Sequence, residues 1–320
     1  MGIRPFDWRD LQQLHRHRHH SVFLYSALVL TRGPLLVPGA LLSYLAPSMG
    51  IVTAAAEAEK KKEFCLIGQI IQSNGSPYAY LTFLTPVSAL DSPRLPPLLD
   101  YLAVQAGEHG AFRLLADVGE RNLAFEALRN ASFAIYARQR IWQLKGTERN
   151  PAYPPGWRVA TDQDAQAVRH LYNDLAPGLV QQIEPVLTEY PRGLVFCQDD
   201  NLLAYVEMRY GGRGIWAQPF VHPDAVSIAL KLGDLLLNLP GRQSRPVYVC
   251  IRSYQSWLES VLEELGAEPG PRQAVMVKHL AVAQKAMRPY AIPAIESGQA
   301  EVTAPISQME PGDYGTTNNR

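Results

Sequence analysis

The sequence predicts an α/β protein made of two copies of one unit, each a mixed, mostly antiparallel sheet flanked by helices. Three observations predict it. The same landmarks recur in the same order in both halves, strand-period and helix-period segments alternate within each half, and a Pro-, Gly- and polar-rich stretch separates them at Lys145–Gly156.

The landmarks begin with Ile3-Arg4-Pro5-Phe6 and Trp157-Arg158-Val159-Ala160, two short segments of strand character. Each Arg is followed six residues later by an Asp (Asp10, Asp164) and then by a helix-period run. Phe83-Leu84-Thr85-Pro86 then corresponds to Phe220-Val221-His222-Pro223, and Arg138-Gln139 to Arg272-Gln273. The offset drifts from 154 to 137 to 134, as unequal loops in two copies would make it.

In the first half the pattern predicts a helix over Asp10–Leu24 and another near Leu35–Leu45. Strands follow over Ile51–Glu57, Phe64–Gln72 and Pro77–Thr85, the last two joined at Ser73-Asn74-Gly75-Ser76. Leu98–Gly107 reads as helix, Phe112–Val118 as strand, Asn122–Asn130 as helix and Ala134–Leu144 as strand. In the second half, strands are expected at Leu194–Gln198, Leu202–Tyr210 and Ile215–Val221, with turns at Asp199-Asp200-Asn201 and Gly211-Gly212-Arg213-Gly214. Ser227–Leu239 is a helix whose apolar face is Ile228, Leu232, Leu235, Leu236 and Leu239. A strand at Pro246–Ile251, a helix at Gln255–Gly266 and a strand at Val275–Leu280 close the unit. The expected organisation is a first domain at 1–146, a linker at 147–156, a second domain at 157–286 and a disordered tail at 287–320.

Charge and composition exclude several classes. Thirty Lys and Arg balance thirty Asp and Glu, so there is no basic surplus for nucleic acid. Three distant cysteines, Cys65, Cys197 and Cys250, form no metal-ligand spacing and fit a reduced cytosol. Gly33–Ala56 carries no formal charge over 24 residues, but Pro34, Pro38 and Pro47 break it, and a buried helix followed by a core strand is expected rather than insertion into a membrane. His15, His17, His19 and His20 interleave with Arg16 and Arg18; on a helix His15 and His19 would share a face, but no carboxylate or Cys completes a metal set, so no metal is expected. A local basic contact to a partner or an anionic substrate is the fitting alternative to a solvated face.

The element order, the Arg-to-Asp opening, the strands ending at Pro86 and Pro223, and the small-residue turns Ala131-Ser132-Phe133 and Leu265-Gly266-Ala267 resemble the GNAT N-acetyltransferase family, arranged in tandem over about residues 3–280. The resemblance implies transfer of an acyl group from acetyl-CoA or another acyl-CoA to an amine on a small molecule or peptide. It places the pyrophosphate in a Gly-rich loop after the strands that end at Pro86 and Pro223. Neither copy has that loop: Val87 to Pro97 has no Gly and three prolines, and Asp224 stands where it would cap the next helix. The cofactor positions so implied are Ser88, Ala89 and Arg94 in the first copy and Ala225 and Val226 in the second. Leu128 and Leu262 stand where many members carry a proton-donating Tyr; Tyr80, Asp117, Tyr136, Glu207 and His222 are the candidate acid–base residues in its place. Two functions are therefore expected from this resemblance: a divergent N-acyltransferase, or a non-catalytic scaffold for a ligand or protein that has lost the CoA loop.

Overall fold

A computed structural model describes residues 2–45, 49–57, 65–145, 153–185, 191–198, 201–225, 227–240, 242 and 245–280. The expected tail beyond Leu280, residues 147–152 of the expected linker, the Asp199-Asp200 turn and Val226 lie outside the described residues.

In the first half, β1 (Ile3–Pro5) leads to α1 (Leu11–Arg16), β2 (Val22–Phe23), α2 (Ser26–Arg32) and α3 (Leu36–Leu45). Then come β3 (Ile51–Ala56), β4 (Leu66–Ile71), β5 (Tyr78–Thr85), α4 (Leu95–Glu108), β6 (Arg113–Gly119), α5 (Leu123–Asn130) and β7 (Ala134–Leu144). The second half repeats the plan with β8 (Trp157–Val159), α6 (Ala165–Leu175), α7 (Gly178–Ile183), β9 (Gly193–Gln198) and β10 (Asn201–Tyr210). It ends with β11 (Ile215–Val221), α8 (Ile228–Leu237), β12 (Val247–Arg252), α9 (Glu259–Glu264) and β13 (Glu268–His279).

The repeated Arg and Asp form the same device twice. Arg4 reaches Asp10 through two hydrogen bonds of 2.7 and 2.8 Å, and Arg158 reaches Asp164 at 2.6 and 2.7 Å. Each carboxylate also accepts the backbone N–H three residues before it, from Asp7 or Thr161, so it ties the strand to the first helical turn.

All thirteen strands belong to one sheet, in the order β1-β3-β4-β5-β6-β13-β7-β12-β11-β10-β9-β8, with β2 beside β5. The halves exchange their last strands. β13, from the second half, lies between β6 and β7 and is antiparallel to both, while β7 runs antiparallel to β12. At the centre Gln139 and Gln273, the two glutamines of the repeat, are register partners and share a 2.9 Å hydrogen bond.

Helices cover both faces. Leu114 and Ala116 of β6 pack with α4 and α5, and Val249 and Ile251 of β12 with α8 and α9. The alternate residues point the other way: Leu115 of β6 meets α6 and α7, and Cys250 of β12 meets Ala27 of α2. The α8 face is buried at all five positions expected.

Four elements differ from the sequence reading. The helix expected over Asp10–Leu24 ends at Arg16, where His17 N–H closes on Gln13 O, and Val22 and Phe23 leave it to pair with β5. The helix α4 starts at Leu95, with Pro96 and Pro97 in its first turn, where missing N–H groups have no intrahelical partner to lose. The helix expected over Gln255–Gly266 is a 3-10 turn, Ser253–Leu258, followed by α9. The last strand begins seven residues early, its Pro269-Gly270-Pro271 absorbed by a bulge opposite β7. No helix among the described residues is long and apolar enough to cross a membrane.

Candidate functional site

In each half two neighbouring strands start parallel and then part. Tyr78–Tyr80 of β5 pair with Arg113–Leu115 of β6, and Ile215–Ala217 of β11 with Val247–Val249 of β12. Beyond those residues each pair opens a V toward its C-terminal ends, where a ligand could lie against free strand edges.

The first V is filled by the chain itself. Val22 and Phe23 pair with Leu84 and Phe83, and Leu24 donates its N–H to Thr82 O at 2.9 Å. On the far side Asp117 N–H donates to Leu24 O at 2.7 Å, and Ser26 N–H donates to the Asp117 carboxylate at 3.0 Å. Leu24 is fully buried, so residues 22–26 act as an inserted strand joining the two edges. Burial raises the Asp117 carboxyl above its usual range, against the pull of Arg252 and of its bond from Ser26.

Most N–H groups of the turn after β5 are also engaged. Val87, Ala89, Leu90, Ser92 and Leu95 each direct their N–H to a backbone carbonyl within 3.2 Å. Arg94 is buried rather than a solvated loop cation; its Nε donates to Ser92 Oγ and its Nη1 to Glu57 O. Ser88 is exposed on the 3-10 turn and Ala89 half-buried beside it.

The second V is only partly taken up. Ile215 N–H bonds across to Pro246 O and His222 N–H bonds the opposite way to Leu203 O, so the odd-numbered residues of β11 turn their peptide groups toward β12. On that edge Pro219 has no N–H to offer, and Val221 O already accepts from Gln255 Nε2 at 3.0 Å. Ala225 is buried and donates its N–H to His222 O. Asp224 does not cap α8, contrary to expectation: its carboxylate is exposed, and Ser227, in the left-handed region, precedes the helix.

Between the two openings, on the face covered by α2, α6 and α7, lies a polar interior. Arg252 Nη2 donates to Glu184 at 2.8 Å, with both side chains buried. Arg252 Nε and Nη1 are buried with no hydrogen-bond partner among the described residues, and the Tyr136 hydroxyl is buried beside Glu184. Burial works to lower the Arg252 guanidinium, and Glu184, Tyr136 and Cys250 more than reverse it, so it stays charged. Burial, then Glu184, drive the Tyr136 hydroxyl far above the usual tyrosine range. A ladder of side chains runs beneath: Ser26 Oγ to Gln273, Gln273 to Gln139, and Gln139 to the Cys250 thiol at 3.3 Å. Burial pushes that thiol up to about 12. Alongside, the Tyr25 ring stacks on Tyr80 at 3.9 Å and Tyr78 meets Tyr80 edge-on. Arg209 donates to the Tyr25 hydroxyl and pairs with Glu207 at 2.9 Å.

The structure thus gathers Tyr80, Asp117, Tyr136 and Glu207 around one interior; the charges of Glu207 and Asp117 both act on Tyr25. His222 stands apart at the end of β11, accepting a hydrogen bond from Asp224 N–H at its Nδ1. Tyr25, Glu184 and Arg252 belong to the interior and were not among the sequence candidates. Arg252 did leave a trace, as a charge ending the apolar strand Val247-Tyr248-Val249-Cys250-Ile251. Among the described residues no three His, Cys, Asp or Glu gather as a metal-binding group, and the helix ending at Arg16 leaves His15 and His19 on no common helical face.

No protein-family model matches the chain, and no curated protein matches it. Solved structures do. A GCN5-related N-acetyltransferase from Sphaerobacter thermophilus superposes with a TM-score of 0.51 at 11% identity, covering 87% of this chain and 95% of the other. A tandem GNAT protein from the clavulanic acid biosynthesis pathway gives 0.48 at 15% identity, over 87% and 98%. An acetyltransferase of the GNAT family from Colwellia psychrerythraea gives 0.41 at 14% identity, over 87% and 100%. Identities this low speak to architecture alone, and the superposition on the Sphaerobacter protein shows that this chain has the GNAT fold, with its element order repeated in the two halves.

Proposed function

We propose that this chain is a GNAT-fold binding protein that does not hold acyl-CoA in either groove and takes a small ligand at the polar interior between its halves. The observation that carries the reading is the inserted strand. Residues 22–26 use the edges of β5 and β6 that an extended ligand would need, through hydrogen bonds from Leu24 to Thr82, Asp117 to Leu24 and Ser26 to Asp117. The largely engaged turn at Val87–Leu95, the tied Arg94, and the bond from Gln255 to Val221 O beside Pro219 point the same way. The fit of acyl-CoA to Ser88, Ala89, Arg94 and Ala225 is therefore poor.

The ligand's chemistry follows from what the interior lacks. Arg252 Nε and Nη1 are donors without acceptors, so a carbonyl or carboxylate oxygen suits them. Half-buried Tyr25, Tyr78, Tyr80 and Tyr254 offer aromatic surface around it. A reducing, cytoplasmic setting suits the three free cysteines.

The second reading is an N-acyltransferase using acetyl-CoA or another acyl-CoA on a small-molecule amine or peptide. The convergence of Tyr80, Asp117, Tyr136 and Glu207 favours it. Calorimetry and thermal shift with acetyl-CoA and longer acyl-CoAs separate the two. The binding-protein reading expects no heat and no shift up to the millimolar range; micromolar binding would overturn it and restore the transferase.

A further inference from the structure

Between Asp10 and Glu57 the sequence has no Asp or Glu, in a chain whose charges otherwise cancel. Those 46 residues carry Arg16, Arg18 and Arg32 together with four histidines. The structure folds this one-signed stretch into a single surface. α1 and α3 share a small core of Leu14, Leu36 and Ala40, closed by Phe6. The cationic run at His15–His20 therefore lies beside α3, with His15, Arg16, Arg18, His19 and His20 exposed.

The helix α3 is only half used by that core. It buries Leu36, Gly39 and Ala40, and turns Pro38, Leu42 and Leu45 outward at helical spacing, joined by Tyr44 and by Met49 beyond its end. Leu45 is 72% exposed and Tyr44 51%. Pro38, Leu42 and Leu45 make an apolar ridge with no charge on it, where a solvated helix face would be polar, and Tyr44 and Met49 are further exposed apolar side chains nearby in sequence. A groove of about 420 Å³ joins the ridge to the cations, lined on one side by Arg18 and His19 and on the other by Phe23, Pro34, Val37 and Pro38.

Apolar and aromatic side chains beside arginines, with no acid among them, are the composition of a helix that lies in a lipid headgroup region. The helix α2 packs on the sheet through Ala27, and α3, of ten residues, is too short to span a bilayer, so α3 would rest on a surface rather than cross it. We propose that this face, α3 with the His15–His20 run, docks the protein onto an anionic phospholipid surface. The arginines meet the headgroups, while Leu42 and Leu45 enter the acyl boundary.

Flotation of the full chain tests this, with vesicles of phosphatidylcholine alone and of phosphatidylcholine with phosphatidylserine. The protein should float with the second and not the first, and roughly 0.5 M salt should release it. The double variants Leu42→Glu/Leu45→Glu and Arg16→Glu/Arg18→Glu, all at exposed positions, should each lower partitioning about tenfold or more, given the cost of losing apolar insertion or two headgroup contacts. Unchanged thermal unfolding would show that both still fold. Equal partition onto both vesicles, or onto neither, overturns the proposal. So does binding to duplex DNA that survives Leu42→Glu/Leu45→Glu, which would mark a polyanion site. A dimer dispersed by that same variant would show a second copy covering the ridge. Strong amide protection of α3 without lipid, lost on removing residues 281–320, would show the chain's own end covering it. Either result also overturns the proposal.

Discussion

Ending the chain after Ala267 removes β13 and leaves β6 and β7 with an empty place between them, since β13 pairs along seven residues of β6 and eight of β7. The cost can be worked from burial. Val275, Met276 and Val277 are each no more than 2% exposed. Burying such side chains contributes about 1.5–3 kcal/mol each, so the three supply about 5–9 kcal/mol before any backbone hydrogen bond is counted. A whole domain of ordinary stability has about 5–15 kcal/mol in hand. Losing β13 should therefore abolish the folded sheet in both halves, because it also bares two facing strand edges. The assay is urea unfolding followed by circular dichroism, with size-exclusion chromatography, against a control chain ending after Val282. The control should unfold cooperatively as the full chain does. The shorter chain should show no cooperative transition, or should self-associate through its open edges. If it stayed monomeric with the control's midpoint, β6 and β7 would have to pair directly and the exchange of strands would be wrong.

Asp117→Ala removes the acceptor of Ser26 N–H in the inserted strand and should cost about 1.5–3 kcal/mol, the worth of a hydrogen bond to a charged group. That lowers Tm by roughly 2–5 °C for a chain of this size, while Asp117→Asn, which keeps an acceptor, should lose less; hydrogen exchange at Ser26 should quicken only in the Ala variant. Asp164 is held well below the usual carboxylate range, first by Arg158 and then, against desolvation, by its bonds from Thr161. Its contribution is whole above its unfolded pKa of about 3.9 and is lost as pH falls below that toward the folded value. Asp164→Asn should accordingly flatten the acid limb of a stability–pH curve between about pH 5 and 2, and an unchanged limb would dismiss the pairing as a source of stability. The Cys250 thiol, pushed up to about 12, should not react with a thiol reagent at pH 8 in the native protein and should become available only on unfolding.

The repeat was legible because its landmarks carry a mechanical job that local sequence must serve. Arg4 with Asp10, and Arg158 with Asp164, are six residues apart in each half and close the same turn. The helix α8 announced itself by its spacing, and the turn at Ser73–Ser76 by Asn74-Gly75. Partner choice was not legible in the same way. The strands β7 and β13 each carry an apolar run, Ala134–Ala137 and Ala274–Val277, and either would satisfy β6, so nothing local says that β13 takes the place. Ser21 to Leu30 is apolar at nearly every position, a pattern that serves a helix end as well as a strand, and only the open edge of β5 decides between them.

The candidate site divides along the same line. Tyr80, Asp117 and Tyr136 could be picked out as polar groups on apolar strands, one residue at a time. Arg252 and Glu184 could not be joined, because 68 residues separate them and only the folded sheet brings α7 over β12. The two openings differ in how far they are occupied. A backbone strand fills the first V, whereas in the second a proline removes one donor and Gln255 takes one acceptor of the β11 edge. The first groove is therefore the one the fold itself has taken up. Between the halves, the buried Arg252 donors that no described group accepts are a demand for an acceptor that a ligand oxygen would meet.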